Sequence, residues 1–349
     1  MSRARDDYSL SEPLMSRFSL LSALFAMTLV SPLAAADPSE IKVGIIGLDT
    51  SHAIAFTKEL NAREPMADVS HCRVVAAYPK GSPDIKSSTE RVPGYIEEVK
   101  KMGVEIVDSI DELVKRVDCV LLETNDGRPH LEQALPVFRA GKPCFIDKPV
   151  AGSLADAIAI YAAAKKHNCP VFCSSSLRYS KAAQDLRAGN KGKVLGCDTY
   201  SPCALEATHP DLYWYGVHGC EALYTVMGSG CESVTRVSTP DFDSAIGVWS
   251  GGRIGTFRGI RTKEGSGYGG TAYTQSGIFP IGGYEGYRPL VVEIVKFFRS
   301  KQPPVAAEET IELYAFMEAA DESKRRGGAP VKIEEVMQKA KADAEKRLK

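Results

Sequence analysis

Residues 41–52, I-K-V-G-I-I-G-L-D-T-S-H, constrain this chain more than any other stretch. Ile41, Val43, Ile45 and Ile46 form an apolar, β-branched run that stops at Gly47, and from Ala53 the pattern A-I-A-F-T-K-E-L turns helical. A strand, a tight turn and a helix therefore follow one another. In a parallel α/β sheet such a junction aims the helix N-terminus, with its unpaired N–H groups and positive dipole end, beyond the strand end, a geometry suited to phosphate.

The glycines match a dinucleotide fingerprint only in part. Where G-x-G-x-x-G is expected, the positions from Gly47 read G-L-D-T-S-H. Asp49 stands where a glycine lets a diphosphate approach the backbone, and His52 where a glycine lets helix and strand pack closely. Asp49 or Ser51 reads equally well as a helix N-cap. The next strand, C-R-V-V-A-A-Y, ends at Pro79 without the acidic residue that holds ribose hydroxyls in NAD sites. Lys80 and Ser82 instead suit a 2′-phosphate, leaning a cofactor weakly from NAD towards NADP, and read equally as a solvated turn.

Further strands at 104–107, 118–124, 142–150 and 170–176 alternate with helical patterns at 109–117, 130–140 and 153–167. Their spacing predicts an α/β fold, a Rossmann-type doubly wound parallel sheet over residues 37–175. Past Leu177 the texture changes. A helix near 179–187, a strand near 193–200 and a helix over 211–227 precede successive strands joined by short turns, and helices at 290–299 and 308–323 follow. Residues 176–349 are accordingly expected to form an α+β domain with a mostly antiparallel open sheet, serving substrate binding and oligomerisation.

A formal charge of -1, with no dense Lys/Arg cluster, argues against nucleic acid as a partner. At the N-terminus, Arg17 precedes the apolar residues 18–30, and Ala34, Ala35 and Ala36 precede Asp37. That is the pattern of a secretory signal peptide over residues 1–36, with Met15 the expected initiator, so the protein is expected to be exported to the periplasm or beyond. No later segment has the run of roughly 20 apolar residues that a membrane helix needs, so no membrane association is expected after cleavage. The lone Arg17 favours export as an unfolded chain. Nine cysteines, none spaced C-x-x-C, sit mostly in apolar strand-like runs, where a buried small hydrophobe is the expected role and few or no disulfides follow.

The segment F-I-D-K-P-V (145–150) resembles the E-K-P motif of the Gfo/Idh/MocA family of oxidoreductases, with Asp147 in place of the glutamate. T-N-D-G-R-P-H (124–130) is similar to the family's T-P-N-x-x-H segment with one residue added, and S-S-L-R-Y-S (175–180) to its R-[YF]-x-P segment. The resemblance implies hydride exchange between NAD or NADP and a carbohydrate-like or polyol hydroxyl carbon, and a homo-oligomer formed through the second sheet. It implies that Lys148 holds the reacting oxygen and that His218, in W-Y-G-V-H, carries the proton. The family's D-x-x-x-H aspartate is Trp214 here, so the carboxylate partner of His218 must come from elsewhere, Glu221 or Asp211, and Trp214 becomes a platform for a sugar ring. Gly44, Gly47, Asp49, Ser51, His52, Lys80, Ser82, Thr124, Asn125, His130, Asp147 and Lys148 are the expected cofactor contacts. Arg178, Tyr179, Trp214 and His218 are the expected substrate contacts.

His52 beside His130 reads as extra polar contact to a ligand or a metal. A metal site needs at least three convergent ligands, and none is assigned from sequence; His71, His167 and His209 read as ordinary loop or helix-end residues. The leading expectation is an exported NAD(P)-dependent oxidoreductase of a sugar, polyol or sugar derivative; the alternative is a non-redox relative that keeps a carbohydrate cleft as a binding protein or metal-assisted lyase or hydrolase. Asp49 and Trp214 favour the second.

Overall fold

Val43, Ile45 and Ile46 are fully buried, and the strand they form, β1 (Ile41–Ile46), lies inside a parallel sheet. The computed structural model describes residues 39–348; the expected signal peptide lies outside them. Beside β1 stand β2 (Cys72–Tyr78), β3 (Glu105–Ile106), β4 (Cys119–Leu122), β5 (Cys144–Ile146) and β6 (Val171–Cys173) in the order β3-β2-β1-β4-β5-β6. All five neighbour pairs are parallel. The connections carry α1 (Ser51–Leu60), α2 (Lys86–Lys101), α3 (Ile110–Arg116), α4 (His130–Arg139) and α5 (Leu154–Lys166). Strand order reverses between β1 and β4, and in such sheets ligands bind beyond the strand ends at that reversal.

The second sheet runs β12-β11-β7-β10-β9-β8-β13. Its members are β7 (Val194–Pro202), β8 (Cys231–Ser238), β9 (Phe242–Trp249), β10 (Arg253–Ile260), β11 (Gly269–Thr274), β12 (Gly277–Pro280) and β13 (Val331–Lys332). Only β7 and β10 pair in parallel, so the sheet is mostly antiparallel, as the short turns predict. Its helices are α6 (Lys181–Arg187), α7 (Asp211–Trp214), α8 (Val217–Met227), α9 (Arg288–Ser300), α10 (Ala307–Arg325) and α11 (Ile333–Arg347).

The expected helix over 211–227 is thus two, parted at Tyr215 and Gly216. A side chain on Gly216 would meet the Leu212 carbonyl at 3.0 Å and Cys203 Sγ at 3.1 Å, so the break is packed tightly. The C-terminal region also returns to the first sheet. Phe145, Phe172 and Phe297 stack edge to face at 5.1 and 4.9 Å, and α9 shares a buried apolar cluster with β1 and α1. All nine cysteines are buried free thiols.

Candidate functional site

The turn after β1 fixes the first wall of the site. Gly47 has φ +88°, and a side chain there would fall 2.5 Å from the Thr124 amide, so both backbone conformation and space demand glycine. The N-cap of α1 is Thr50, neither Asp49 nor Ser51 as expected. Its hydroxyl accepts from the amides of His52 (3.1 Å) and Ala53 (3.3 Å). Ser51 instead lines the cleft, its Oγ 3.5 Å from the Tyr287 hydroxyl.

Helix α1 presents His52 to the end of β5. His52 Nδ1 lies 2.7 Å from Asp147 Oδ2, and its ring packs on Phe56 and edge-on to Tyr287. Burial works to raise the Asp147 carboxyl, but the charges of His52 and Lys148 bring it below the usual range. Beside them Glu123, at the end of β4, is fully buried, and neither of its carboxylate oxygens has a hydrogen-bond partner. Burial, with Asp147 adding repulsion, pushes the Glu123 carboxyl well up. Two neighbouring carboxyls are therefore driven apart, Glu123 towards the neutral form and Asp147 towards the ionised one. Ligand atoms of His52, Glu123 and Asp147 lie within 4.8 Å of one another, a grouping that could hold a cation; Glu123 closes an apolar strand, where no sequence pattern marks it.

Lys148 follows Asp147 and lines the cleft with His218, Asn125 and Trp214. The opposite wall is α8, where Ser175 Oγ contacts His218 Nδ1 at 2.8 Å. Burial, with Lys148 and His52 adding to it, holds His218 well below the ordinary histidine range, so the ring is neutral near pH 7. Its expected carboxylate partners are elsewhere. Glu221 accepts from Ser174 Oγ, the Ser175 amide and Arg178, while Asp211 pairs with Arg236 and Lys324. The shared cavity measures about 310 Å³, and Tyr215, Tyr268, Tyr284, Tyr287 and Arg91 complete much of its wall. Tyr215 lies within the W-Y-G-V-H segment, whereas Tyr268, Tyr284, Tyr287 and Arg91 come from distant segments, without a local motif to announce them.

Several expected contacts belong to the scaffold. Arg178 is buried between Glu221 and Glu309, and Tyr179 borders a separate concavity with Arg288 and Glu293; neither reaches the cleft. Gly44 packs inside β1, where an added side chain would touch Leu113 at 3.0 Å. Thr124 Oγ1 donates to Gln133. His130 is fully buried, its ring nitrogens on the Val150 and Thr124 carbonyls at 3.1 and 2.8 Å, so it clips two loops together and lies apart from His52's ligand set. Lys80 and Ser82 border another concavity that also carries Asp108, Asp111 and Glu132, acids unsuited to a 2′-phosphate, and Ser82 Oγ donates to Asp126 at 2.5 Å. His209, read as an ordinary loop residue, is buried with Nε2 3.1 Å from Asp126 Oδ1 and its ring against Trp214.

At the reversal between β1 and β4 a dinucleotide diphosphate would cross the sheet. There Asp49 Oδ1 accepts from the Asn125 amide at 2.9 Å, and Oδ2 from Ser88 Oγ at 2.7 Å. Thr50 already caps two of the helix amides a phosphate would use. The open cleft has room for a small ring, but in the described state the diphosphate crossing does not fit its guest.

The strand order and the second open sheet define a dehydrogenase fold of the Gfo/Idh type. Residues 41–175 match the model of the Gfo/Idh/MocA family, described as an oxidoreductase family with an NAD-binding Rossmann fold. An uncharacterized oxidoreductase of Streptococcus pneumoniae is 26% identical over 154 residues, 39% of this chain and 41% of that relative. The chain thus matches less than half the length of that curated relative. A probable dehydrogenase from Thermotoga maritima superposes with TM-score 0.69 at 19% identity, covering 85% of this chain and 100% of that one. Scyllo-inositol dehydrogenase from Lactobacillus casei, with bound NAD(H) and scyllo-inositol, gives 0.68 at 16% identity over 84% and 99%. An Agrobacterium radiobacter oxidoreductase in complex with NAD+, L-tartaric acid and magnesium gives 0.65 at 16% over 84% and 99%. At these identities the likeness is one of fold.

Proposed function

We propose that the cleft binds a small polyhydroxylated, carbohydrate-like molecule and moves a proton at one of its hydroxyl-bearing carbons. One observation carries this reading: Lys148, His218 and His52 line a single cavity walled by Trp214 and four tyrosines. Aromatic faces suit the C–H side of a sugar ring, and Lys148, Asn125 and Arg91 supply donors to its oxygens. The Lys148 ammonium stabilises an oxygen as it becomes negative. Neutral His218 can take a proton, and His52, oriented by Asp147, is a second proton carrier in the same cleft. Two cations, Lys148 and Arg91, favour a ligand that bears a carboxylate.

The match of residues 41–175 to an NAD-binding family favours a fuller second reading, oxidoreduction of a CH–OH group with NAD or NADP. In the described state such a partner's diphosphate would have to displace the Asn125 and Ser88 hydrogen bonds of Asp49, and the proton chemistry is the share that the cleft residues account for. Export is also part of the proposal, supported by the apolar residues 18–30 and the alanines before Asp37. Self-association through the second sheet is supported by exposed Leu195, Val237, Ile246, Val248 and Ile254.

Melting curves with inositols, hexoses and sugar acids test the reading, since a ligand that binds only the native state raises the melting temperature. At least one of these is expected to stabilise the protein, and to lose that effect in Trp214→Ala and Lys148→Met. A melting temperature that none of them moves overturns it.

A further inference from the structure

We infer that Asp49 is this chain's own occupant of the place where the family's dinucleotide diphosphate crosses the sheet, so that the cleft works without a nicotinamide dinucleotide. The inference builds on the proton-transfer reading above and names its reaction class.

The crossing is tied shut by the hydrogen bonds of one buried carboxylate. Asp49 is fully buried and joins three segments, its own turn, the loop after β4 through the Asn125 amide, and α2 through Ser88 Oγ. A methyl group on Gly81 would fall 2.1 Å from Ser88 Oγ and 2.3 Å from Asp49 Oδ2, so the turn after β2 closes on the same carboxylate. Arg91 donates to the Asp49 carbonyl at 3.2 Å, fastening α2 over the turn. The seam continues at Asp126, which takes Ser82 Oγ at 2.5 Å and Arg128 through two nitrogens, with His209 alongside. A diphosphate would have to break the Asn125 and Ser88 hydrogen bonds and then lie against the carboxylate that they release. It would find the His52 and Ala53 amides already committed to Thr50.

Without a hydride carrier, the chemistry left to Lys148, His218 and His52 is redox-neutral. On a hydroxycarbonyl sugar, a C–H bond next to the carbonyl breaks and its proton passes to a neutral imidazole. The electron pair of that bond moves into the carbonyl oxygen, giving an enediolate beside the Lys148 ammonium. The other imidazole, as an imidazolium, then returns a proton to the same carbon from the opposite face while the oxygen's electron pair re-forms the carbonyl, so the product is an epimer of the substrate and no oxidant or reductant is consumed.

Calorimetric titration of the full chain with NADH and with NADPH tests the inference. Wild type is expected to bind neither, Asp49→Asn, which keeps the shape of the seal, to stay closed, and Asp49→Gly to gain affinity by about ten-fold or more. Micromolar binding of either dinucleotide by wild type overturns the closure. A folded Asp49→Gly protein that still binds neither overturns the assignment to Asp49. Stabilisation by polyols, measured on the same samples, is expected to survive in Asp49→Gly, so a failure of the cleft reading shows separately from a failure of the seal.

Discussion

His52 Nδ1 and Asp147 Oδ2 stand 2.7 Å apart, joining the first turn of α1 to the end of β5 across the intervening strand β4. A buried carboxylate against one ring nitrogen fixes the tautomer and orientation of the imidazole and leaves the other nitrogen for chemistry. Asp147→Asn is therefore predicted to lower kcat about 10²–10⁴-fold on a cleft substrate, the range of positioned acid/base groups. KM should change little, and the acid limb of the pH–rate profile should move. An unchanged profile in a folded variant would show that Asp147 does not orient the ring.

Glu123 gives the opposite kind of expectation. Its two carboxylate oxygens are buried without partners, and burial already pushes its carboxyl up. Leaving such a group unsatisfied costs about 1–3 kcal/mol, and an apolar side chain of similar shape avoids that cost. Glu123→Met is predicted to be neutral or to stabilise the protein by up to about that amount in urea unfolding. Destabilisation by a similar amount would mean that the carboxyl has a partner in solution.

Stability should fall on mild acidification. Burial, above all, lowers the pKa of both His218 and His130 from the ordinary value of 6.5. When the chain unfolds, each regains that ordinary value, so between the native and unfolded pKa the unfolded state holds more protons. Stability then rises with pH through that window and is lost as pH drops below about 6.5. Each histidine contributes up to about 1.4 kcal/mol per pH unit within it. Urea titrations at stepped pH are predicted to show this slope, and His218→Gln to remove one share of it.

The outer face of the second sheet bears on assembly. Ile246, Val248 and Ile254 alternate with buried neighbours on β9 and β10 and lie exposed. Contiguous exposed apolar surface of this kind marks an interaction site. Ile246→Asp together with Ile254→Asp is predicted to reduce the particle mass in sedimentation to that of one chain, leaving the melting cooperative. A wild type that already sediments as one chain would contradict the assembly.

Much of this architecture was legible because period-two and period-3.6 patterns report local burial. The β1 turn, Lys148, His218, Trp214, Asn125 and His52 were found from short motifs, and they do converge on one cleft. What motifs carried too far were Arg178 and Tyr179, since a segment's likeness says nothing of the Glu221 and Glu309 carboxylates that bury the arginine. Glu123 and Asp126 were missed because each sits among strand and turn residues whose partners lie far away in sequence. The tyrosines at 268, 284 and 287 come from loops of the second half, and only the tertiary fold brings them over β1. Asp49 was legible as a departure from the glycine pattern, whereas its partners Ser88 and the Asn125 amide were not.

The most direct measurement of the central claim uses the six histidines of the chain. In ring-labelled protein, NMR follows each imidazole while inositols, hexoses and sugar acids are added without any dinucleotide. The account predicts that a binding member of this set shifts the His218 and His52 signals together, leaves those of His71 and His167 in place, and finds His218 neutral at pH 7. If every polyol leaves both cleft signals unmoved while a dinucleotide alone displaces them, the cleft is not the closed, proton-moving site described above.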